Sequence, residues 1–429
     1  MAFMFRRRAW MSTTLLVALA VIASACSTDY PNSTFNHTTD FNAANDAVWD
    51  RLLFWGTIVF VGVEAALLYV ILRFRRGSAA RETKPIHGDT KLEILWTAIP
   101  AVILVFIAIP TVRTIFMTQA KAAPEALQVE VVGHQWWWEF RYPEYGITTA
   151  NELYLPKGRT VNFALTTVDV LHSFWIPQLG GKRDLITNKT NYLWFTPNAD
   201  IATDALNGFC AEYCGSSHAN MKFRVYTVEP AEFERWAAHQ ARPAVFPVAP
   251  AVPAVPSGAG VALQTASTAP AQDSSAPAAP AAPQLEPYWF PKEQLPSHVI
   301  PTTKLPAGLT FDEAALAAGD PERGRELYSR SSCIGCHAIA GNPMSMSKVG
   351  PNLTHVATRH TIASGLYQND AKHLALWIKN APAMKPGSLM PTLGVGEKDP
   401  VRKTVMSAAM GGLTDAQIAD IVAYLQALK

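Results

Sequence analysis

Two long apolar runs near the N-terminus constrain this chain more than any other feature of its sequence. From Leu52 to Leu72 the residues are apolar for 21 positions, about the length an α-helix needs to cross a hydrocarbon core. One charge, Glu64, interrupts them. The 13 Leu, Ile, Val and Phe residues of this run contribute roughly −4 to −8 kcal/mol to insertion, and a central acid costs about +3 kcal/mol, so insertion wins. A second run, from about Leu95 to Phe116, contains Pro100 and Pro110. Both are tolerated in a spanning helix when neighbouring groups satisfy the freed backbone. A buried helical pair in a soluble domain is the competing reading. Between the runs lie Arg73, Arg75, Arg76, Arg81, Lys84 and Lys91. The positive-inside rule assigns that connection to the cytoplasm, so everything after about residue 120 is expected on the periplasmic or extracellular side.

The N-terminus agrees with that orientation. Arg6, Arg7 and Arg8 precede an apolar stretch ending in Ala23-Ser24-Ala25-Cys26, the layout of a secretory signal over residues 1–26. Lipid attachment to Cys26 after cleavage, an ordinary cleaved signal and an uncleaved anchor are three readings of it. At 429 residues, 49% apolar and 16% charged, the chain needs several units of separate character. A net charge of +2 gives no field for nucleic acid, and that partner class is set aside.

Past the hairpin of residues 40–120, β-branched and aromatic runs such as Leu127–Val132 and Thr160–Leu165 alternate with Pro and Gly turns, which predicts a β-barrel or sandwich over 121–240. An Ala/Pro-rich linker follows over 241–300. Its low-complexity part has a coil reach of roughly 35 Å. Residues 318–429 recover helical periodicity, with Ile418, Ile421, Val422 and Leu425 on one face of a closing helix. The predicted architecture is a multidomain membrane protein: a two-helix transmembrane hairpin, an all-β domain and an all-α domain.

Four of the five cysteines carry chemistry. Cys210-Ala-Glu-Tyr-Cys214-Gly-Ser-Ser-His218-Ala-Asn-Met221 gathers two thiols, an imidazole and a thioether, with His172 upstream. Soft sulfur with imidazole selects copper. A mononuclear blue-copper site needs one thiolate; two thiolates can bridge two coppers, each with one terminal His, leaving Met221 and a backbone carbonyl, that of Glu212, as weak outer ligands. A disulfide and a zinc site are the alternatives, but neither calls for a thioether here.

This segment resembles the CuA loop of cytochrome c oxidase subunit II. Asp169-Val-Leu-His172-Ser-Phe-Trp-Ile-Pro resembles the segment bearing that family's first His, and Gly133-His-Gln-Trp136-Trp-Trp-Glu-Phe its aromatic stretch. Glu93-Ile-Leu-Trp96-Thr-Ala-Ile-Pro100 resembles the start of its second membrane helix. The resemblance covers roughly residues 40–230. It implies a cupredoxin-like CuA domain, Trp136 as the electron-input residue, Glu93 at the mouth of a proton path into the catalytic subunit, and a side-chain role for Glu212 at a magnesium ion shared with subunit I. Without it, Trp136 reads as a core aromatic and Glu93 as a solvated helix-end acid.

Cys333-Ile-Gly-Cys336-His337 is C-x-x-C-H, the signal for covalent attachment of a c-type haem, with His337 on the iron. A redox-active disulfide would need only the C-x-x-C. The sixth ligand should be a thioether. Lys385-Pro-Gly-Ser-Leu-Met390-Pro resembles the distal loop of small cytochromes c, which singles out Met390 over Met384 and Met344; Gly350-Pro-Asn-Leu353 and the C-terminal helix with Tyr424 carry the same resemblance over about 318–429.

The expected function is electron delivery to oxygen reduction and proton transport in subunit I of a terminal oxidase, with subunit III and membrane lipid as neighbours. The expected donor is a cytochrome or a quinol-oxidising complex. The expected location is a bacterial cell membrane, crossed more than once. The chain holds no second haem signal and no cluster of membrane histidines, so catalysis belongs to the assembly. A nitric oxide reductase with a similar copper subunit and a copper sensor or carrier are the competing functions.

Overall fold

The computed structural model describes residues 16–17, 20–21, 30–36, 38–74, 88–202, 204–244 and 286–429. The signal with Cys26, the basic stretch 75–87 and the linker core 245–285 lie outside the described residues. The rest forms two compact units: Met1–Pro230 with Pro291–Thr303 and Ala363–Tyr367, and Ala231–Phe290 with Lys304–Ile362 and Gln368–Lys429.

In the first unit, the apolar runs become helices α1 (Asp40–Arg73) and α2 (Thr90–Gln119). Both are long and apolar enough to cross a membrane. Each extends beyond its apolar run because a cap, not hydrophobicity, sets where it starts. The Thr39 side chain accepts the Asn42 N–H at 3.1 Å, and Asp89 accepts those of Lys91 and Leu92. Pro100 and Pro110 sit inside α2 without ending it. Trp55 of α1 stacks on Phe106 of α2 at 5.9 Å. The start of α1 is tied to the chain beyond it: Thr39 donates to the Leu179 carbonyl at 2.6 Å and Asn42 to that of Pro177 at 3.1 Å.

Ten strands follow: β1 (Leu127–His134), β2 (Trp137–Tyr142), β3 (Ile147–Ala150), β4 (Glu152–Pro156), β5 (Val161–Thr167), β6 (His172–Trp175), β7 (Arg183–Leu185), β8 (Asn191–Phe195), β9 (Asp204–Cys210) and β10 (Lys222–Val228). They form two five-stranded sheets, ordered β3-β2-β1-β5-β8 and β4-β10-β9-β6-β7. The interior is aromatic. Trp138, Phe140, Phe163, Phe174 and Phe223 are fully buried, and Phe174 stacks on Phe223 at 5.0 Å. Such rings bury large areas and favour tilted or offset contacts, which keeps rigid the strand ends β6, β9 and β10 that carry the site. Register places Phe174 opposite Cys210 and Phe209 opposite Lys222.

In the second unit, helix α3 (Pro230–Gln240) follows β10 directly, yet its last turn packs here: the His239 ring lies 4.7 Å from that of His355. Helices α4 (Glu313–Ala317), α5 (Pro321–Arg330), α6 (Ala371–Lys379), α7 (Ala381–Met384) and α8 (Asp415–Ala427) make up the remainder. A capping box of Thr414 and Gln417 starts α8. Its predicted apolar face is buried, with Ile418, Ile421, Val422 and Leu425 all at most 4% exposed. The Arg323 guanidinium on α5 reaches Asp420 of α8 at 2.7 Å, and Tyr328 meets Tyr424 at 5.4 Å between ring centres.

Candidate copper and haem sites

Three strand ends build the first site. Cys210 closes β9, His172 opens β6, and the loop 211–221 returns to β10 through a hydrogen bond from the Cys210 N–H to the Met221 carbonyl at 3.0 Å. The two thiols are not joined in a disulfide and stand 3.7 Å apart. His172 Nδ1 lies 3.9 Å from the Cys210 sulfur, and the Glu212 carbonyl 3.2 Å from it. On the other side, His218 Nδ1 is 3.7 Å and Met221 Sδ 3.9 Å from the Cys214 sulfur. The donors thus fall into two sets about a sulfur pair, each with one thiol, one imidazole and one weak donor. His172, Cys210 and Cys214 have ligand atoms within 4.8 Å of one another and are buried. This donor chemistry fits a pair of coppers bridged by two thiolates and does not suit a hard cation.

Asp169 prepares His172. Its carboxylate faces His172 Nε2 at 2.8 Å and accepts the backbone N–H groups of Gln135 at 2.7 Å and Val170 at 2.7 Å. Because a carboxylate only accepts, Nε2 carries the proton and Nδ1 is left free to bind metal. Burial works against the Asp169 charge, yet these bonds, led by that of His172, hold its pKa below the ordinary value. The Cys210 thiol is held well below its ordinary range, first by its hydrogen bond with the Cys214 thiol and against the effect of burial. A metal-ready thiolate is the result. Trp136 meets the same loop: its indole N–H donates to the Cys214 carbonyl at 2.9 Å, and the Gln135 amide donates to the same oxygen at 2.8 Å.

The second site is local in sequence. Cys333 and Cys336 lie on and just after a single 3-10 turn, Ser332–Gly335. His337 follows and donates Nδ1–H to the Pro351 carbonyl at 2.8 Å. That leaves Nε2 unprotonated, the state an iron ligand needs, and burial pushes the His337 pKa down in the same direction. Gly350 is required beside it, because a Cβ there would stand 2.8 Å from His337 Cε1. Both cysteines are free thiols, so this segment fits a haem attached through them. Met390 is half-buried in the segment after α7, Met384 is 4% exposed within α7, and Met344 is exposed.

Comparison with known proteins agrees with this division. Residues 34–114 match the transmembrane domain of cytochrome c oxidase subunit II, residues 146–228 its periplasmic domain, and residues 321–429 cytochrome c. A cytochrome c oxidase subunit 2 of Bacillus sp. (strain PS3) is 30% identical over 369 residues, covering 83% of this chain and 80% of that protein. That of Bacillus subtilis (strain 168) is 30% identical over 337 residues, covering 75% of each. The chain belongs to the cytochrome c oxidase subunit 2 family. The subunit 2 of Alkalihalophilus pseudofirmus, 28% identical over 378 residues, covers 87% of this chain and 83% of its own length, so the likeness extends well beyond the β domain. The protein is a subunit II with two apolar N-terminal helices, a cupredoxin-like periplasmic CuA domain and a C-terminal helical cytochrome c domain. It is thereby a membrane protein, for which the family implies copper, haem and a subunit I partner.

Of the residues singled out from sequence, the fold brings His172, Cys210, Cys214, His218, Met221 and the Glu212 carbonyl together, with Trp136 against them. Glu93 lies elsewhere, exposed in the first turn of α2. Asp169 and Gln135 were not expected to act at the site. The i, i+3 spacing of Asp169 and His172 was the available signal for the first. Gln135 gave none.

Proposed function

We propose that this chain is the electron-input subunit of a bacterial terminal oxidase, taking electrons from a cytochrome or a quinol-oxidising complex and delivering them to subunit I, where oxygen is reduced with proton transport. The division of the chain into a hairpin over 40–120, a CuA domain over 121–240, a linker over 241–300 and a cytochrome domain over 318–429 supports this reading. So does membership of the subunit 2 family. In this proposal the chain crosses the membrane twice, beside lipid and subunit III.

When bound, the two cofactors supply one-electron redox chemistry, and the protein's part is to hold them ready. Cys333, Cys336, His337 and Met390 would hold the haem, covalently through the two sulfurs. His172, Cys210, Cys214, His218, Met221 and the Glu212 carbonyl would hold dinuclear copper. Asp169 fixes the His172 tautomer, and burial shields His172, Cys210, Cys214 and Met221 from water. Trp136 is the electron-input residue, its indole bonded to the backbone of a ligand. The Glu212 carboxylate would reach a magnesium ion shared with subunit I, and Glu93 would stand at the proton path. The observation that carries the reading is the symmetric pair of donor sets about two sulfurs 3.7 Å apart.

The test is purification of the chain from native membranes, with metal and haem analysis and spectroscopy. Two copper ions per covalent porphyrin, with the near-infrared absorption and delocalised spin of a mixed-valence pair, are expected. A single copper with a localised signal would refute it.

A further inference from the structure

Trp136 makes a second set of contacts that metal binding does not require. Ala363–Tyr367, far away in the sequence, belongs to the first unit. Ala363, Ser364 and Gly365 have φ of 53°, 63° and 77°, three successive left-handed residues. Two of them carry a Cβ, and such backbone persists only where surrounding contacts over-determine it. Ser364 is 2% exposed, and its hydroxyl donates to the Trp136 carbonyl at 2.7 Å.

The holding contact comes from β10. Arg224 is 4% exposed, and its guanidinium donates Nη2–H to the Gly365 carbonyl at 3.0 Å, Nε–H to that of Val299 at 2.8 Å and Nη1–H to that of Phe223 at 3.4 Å. Glu152, its register partner on β4, supplies a neighbouring negative charge. A planar fork that serves carbonyls of three segments at once fixes their spacing in a way a lysine cannot. A Cβ at Gly365 would stand 2.8 Å from Arg224 Nη1, so the close approach depends on glycine.

We propose that Ala363–Tyr367 is a positioning element for Trp136, with Ser364 as its contact and Arg224 as its clamp. Trp136 is then held through both its side chain and its backbone: the indole N–H on the Cys214 carbonyl, and the backbone carbonyl under the Ser364 hydroxyl. The proposal rests on the reading of Trp136 as the electron-input residue. It adds that the C-terminal part of the sequence supplies a part needed to aim that residue.

The test uses the intact oxidase with Gly365→Ala and Arg224→Lys, read by amide exchange and by the rate of copper reduction from the chain's own haem, in which one electron moves and no bond or proton is exchanged. Faster exchange across Ala363–Tyr367 and a roughly tenfold slower reduction are expected, as for a misplaced reacting group. Trp136→Phe should slow the reaction as well, and adding Gly365→Ala to it should cost nothing more, because both act through one residue. Ser364→Ala should slow it without loosening the Arg224 contact. In Gly365→Ala, Arg224→Lys and Ser364→Ala, direct copper reduction by a small diffusing reductant, and the copper spectrum, should not change. Additive slowing in the double variant, or an unchanged rate once the tip exchanges freely, overturns the proposal. A wild-type chain without a two-copper spectrum would defeat the functional reading instead, and amide exchange in Gly365→Ala and Arg224→Lys would still decide whether the clamp exists.

Discussion

The copper site and the haem segment solve one problem, holding a redox centre in a fixed place, by opposite means. Cys333, Cys336 and His337 fall within five residues, on and just after one 3-10 turn. The copper donors run from His172 to Met221, and three strands must pair in register before they meet. One site is written into a local segment; the other exists only when a β-sandwich does. With the proposed covalent attachment, the first is expected to survive loss of tertiary structure and the second is not.

Unfolding in guanidinium chloride should separate them most sharply. The chain is expected to lose all its copper absorption and keep all its porphyrin, read by spectra before and after gel filtration. Porphyrin released with the copper would show that no thioether bond was present. Met390→Ala should remove the sixth haem ligand while leaving the haem attached and copper intact, seen as a lowered haem potential and a changed ligand band. If Met384→Ala does this instead, the distal ligand is assigned to the wrong thioether.

Asp169→Ala should weaken copper binding by about 10–100-fold, the usual cost of removing a partner that orients a ligating imidazole. The haem potential should not move, because the Asp169 carboxylate bonds His172, Gln135, Val170 and Thr167, all beside the copper donors. A titration with a competing copper chelator measures it.

The smallest effect is a pH dependence in the helical unit. His239 is buried, with no hydrogen-bond partner on Nε2, and burial, then His355 and Arg242, push its pKa down to about 4. A histidine held below its unfolded value of about 6.5 binds more protons when unfolded. Its contribution is therefore complete above pH 6.5 and is lost as pH falls toward 4, by about 1–2 kcal/mol after allowing for partial screening. Calorimetry should show the helical transition moving down over this window, and His239→Leu should flatten the change.

Much of this was legible in the sequence because it depends on local rules. Apolar length gave both helices, β-branched and aromatic runs between turns gave β1 and β5, and the spacing of Ile418, Ile421, Val422 and Leu425 gave the buried face of α8. The soft-donor cluster and the C-x-x-C-H segment named their chemistry by residue type. Helix starts were less legible, since Thr39 and Asp89 act as caps outside the apolar runs.

What only the tertiary structure decided concerns residues whose partners lie far away in the chain. Which imidazole stands beside which thiol follows from strand register, and the protonated nitrogen of His172 follows from where Asp169 lands. Neither the bond between Ser364 and Trp136 nor the Arg224 fork across Phe223, Val299 and Gly365 leaves a sequence pattern. The physical reason is that periodicity and motif spacing report forces acting within about a dozen residues. A contact across 228 positions is fixed by packing of the whole unit.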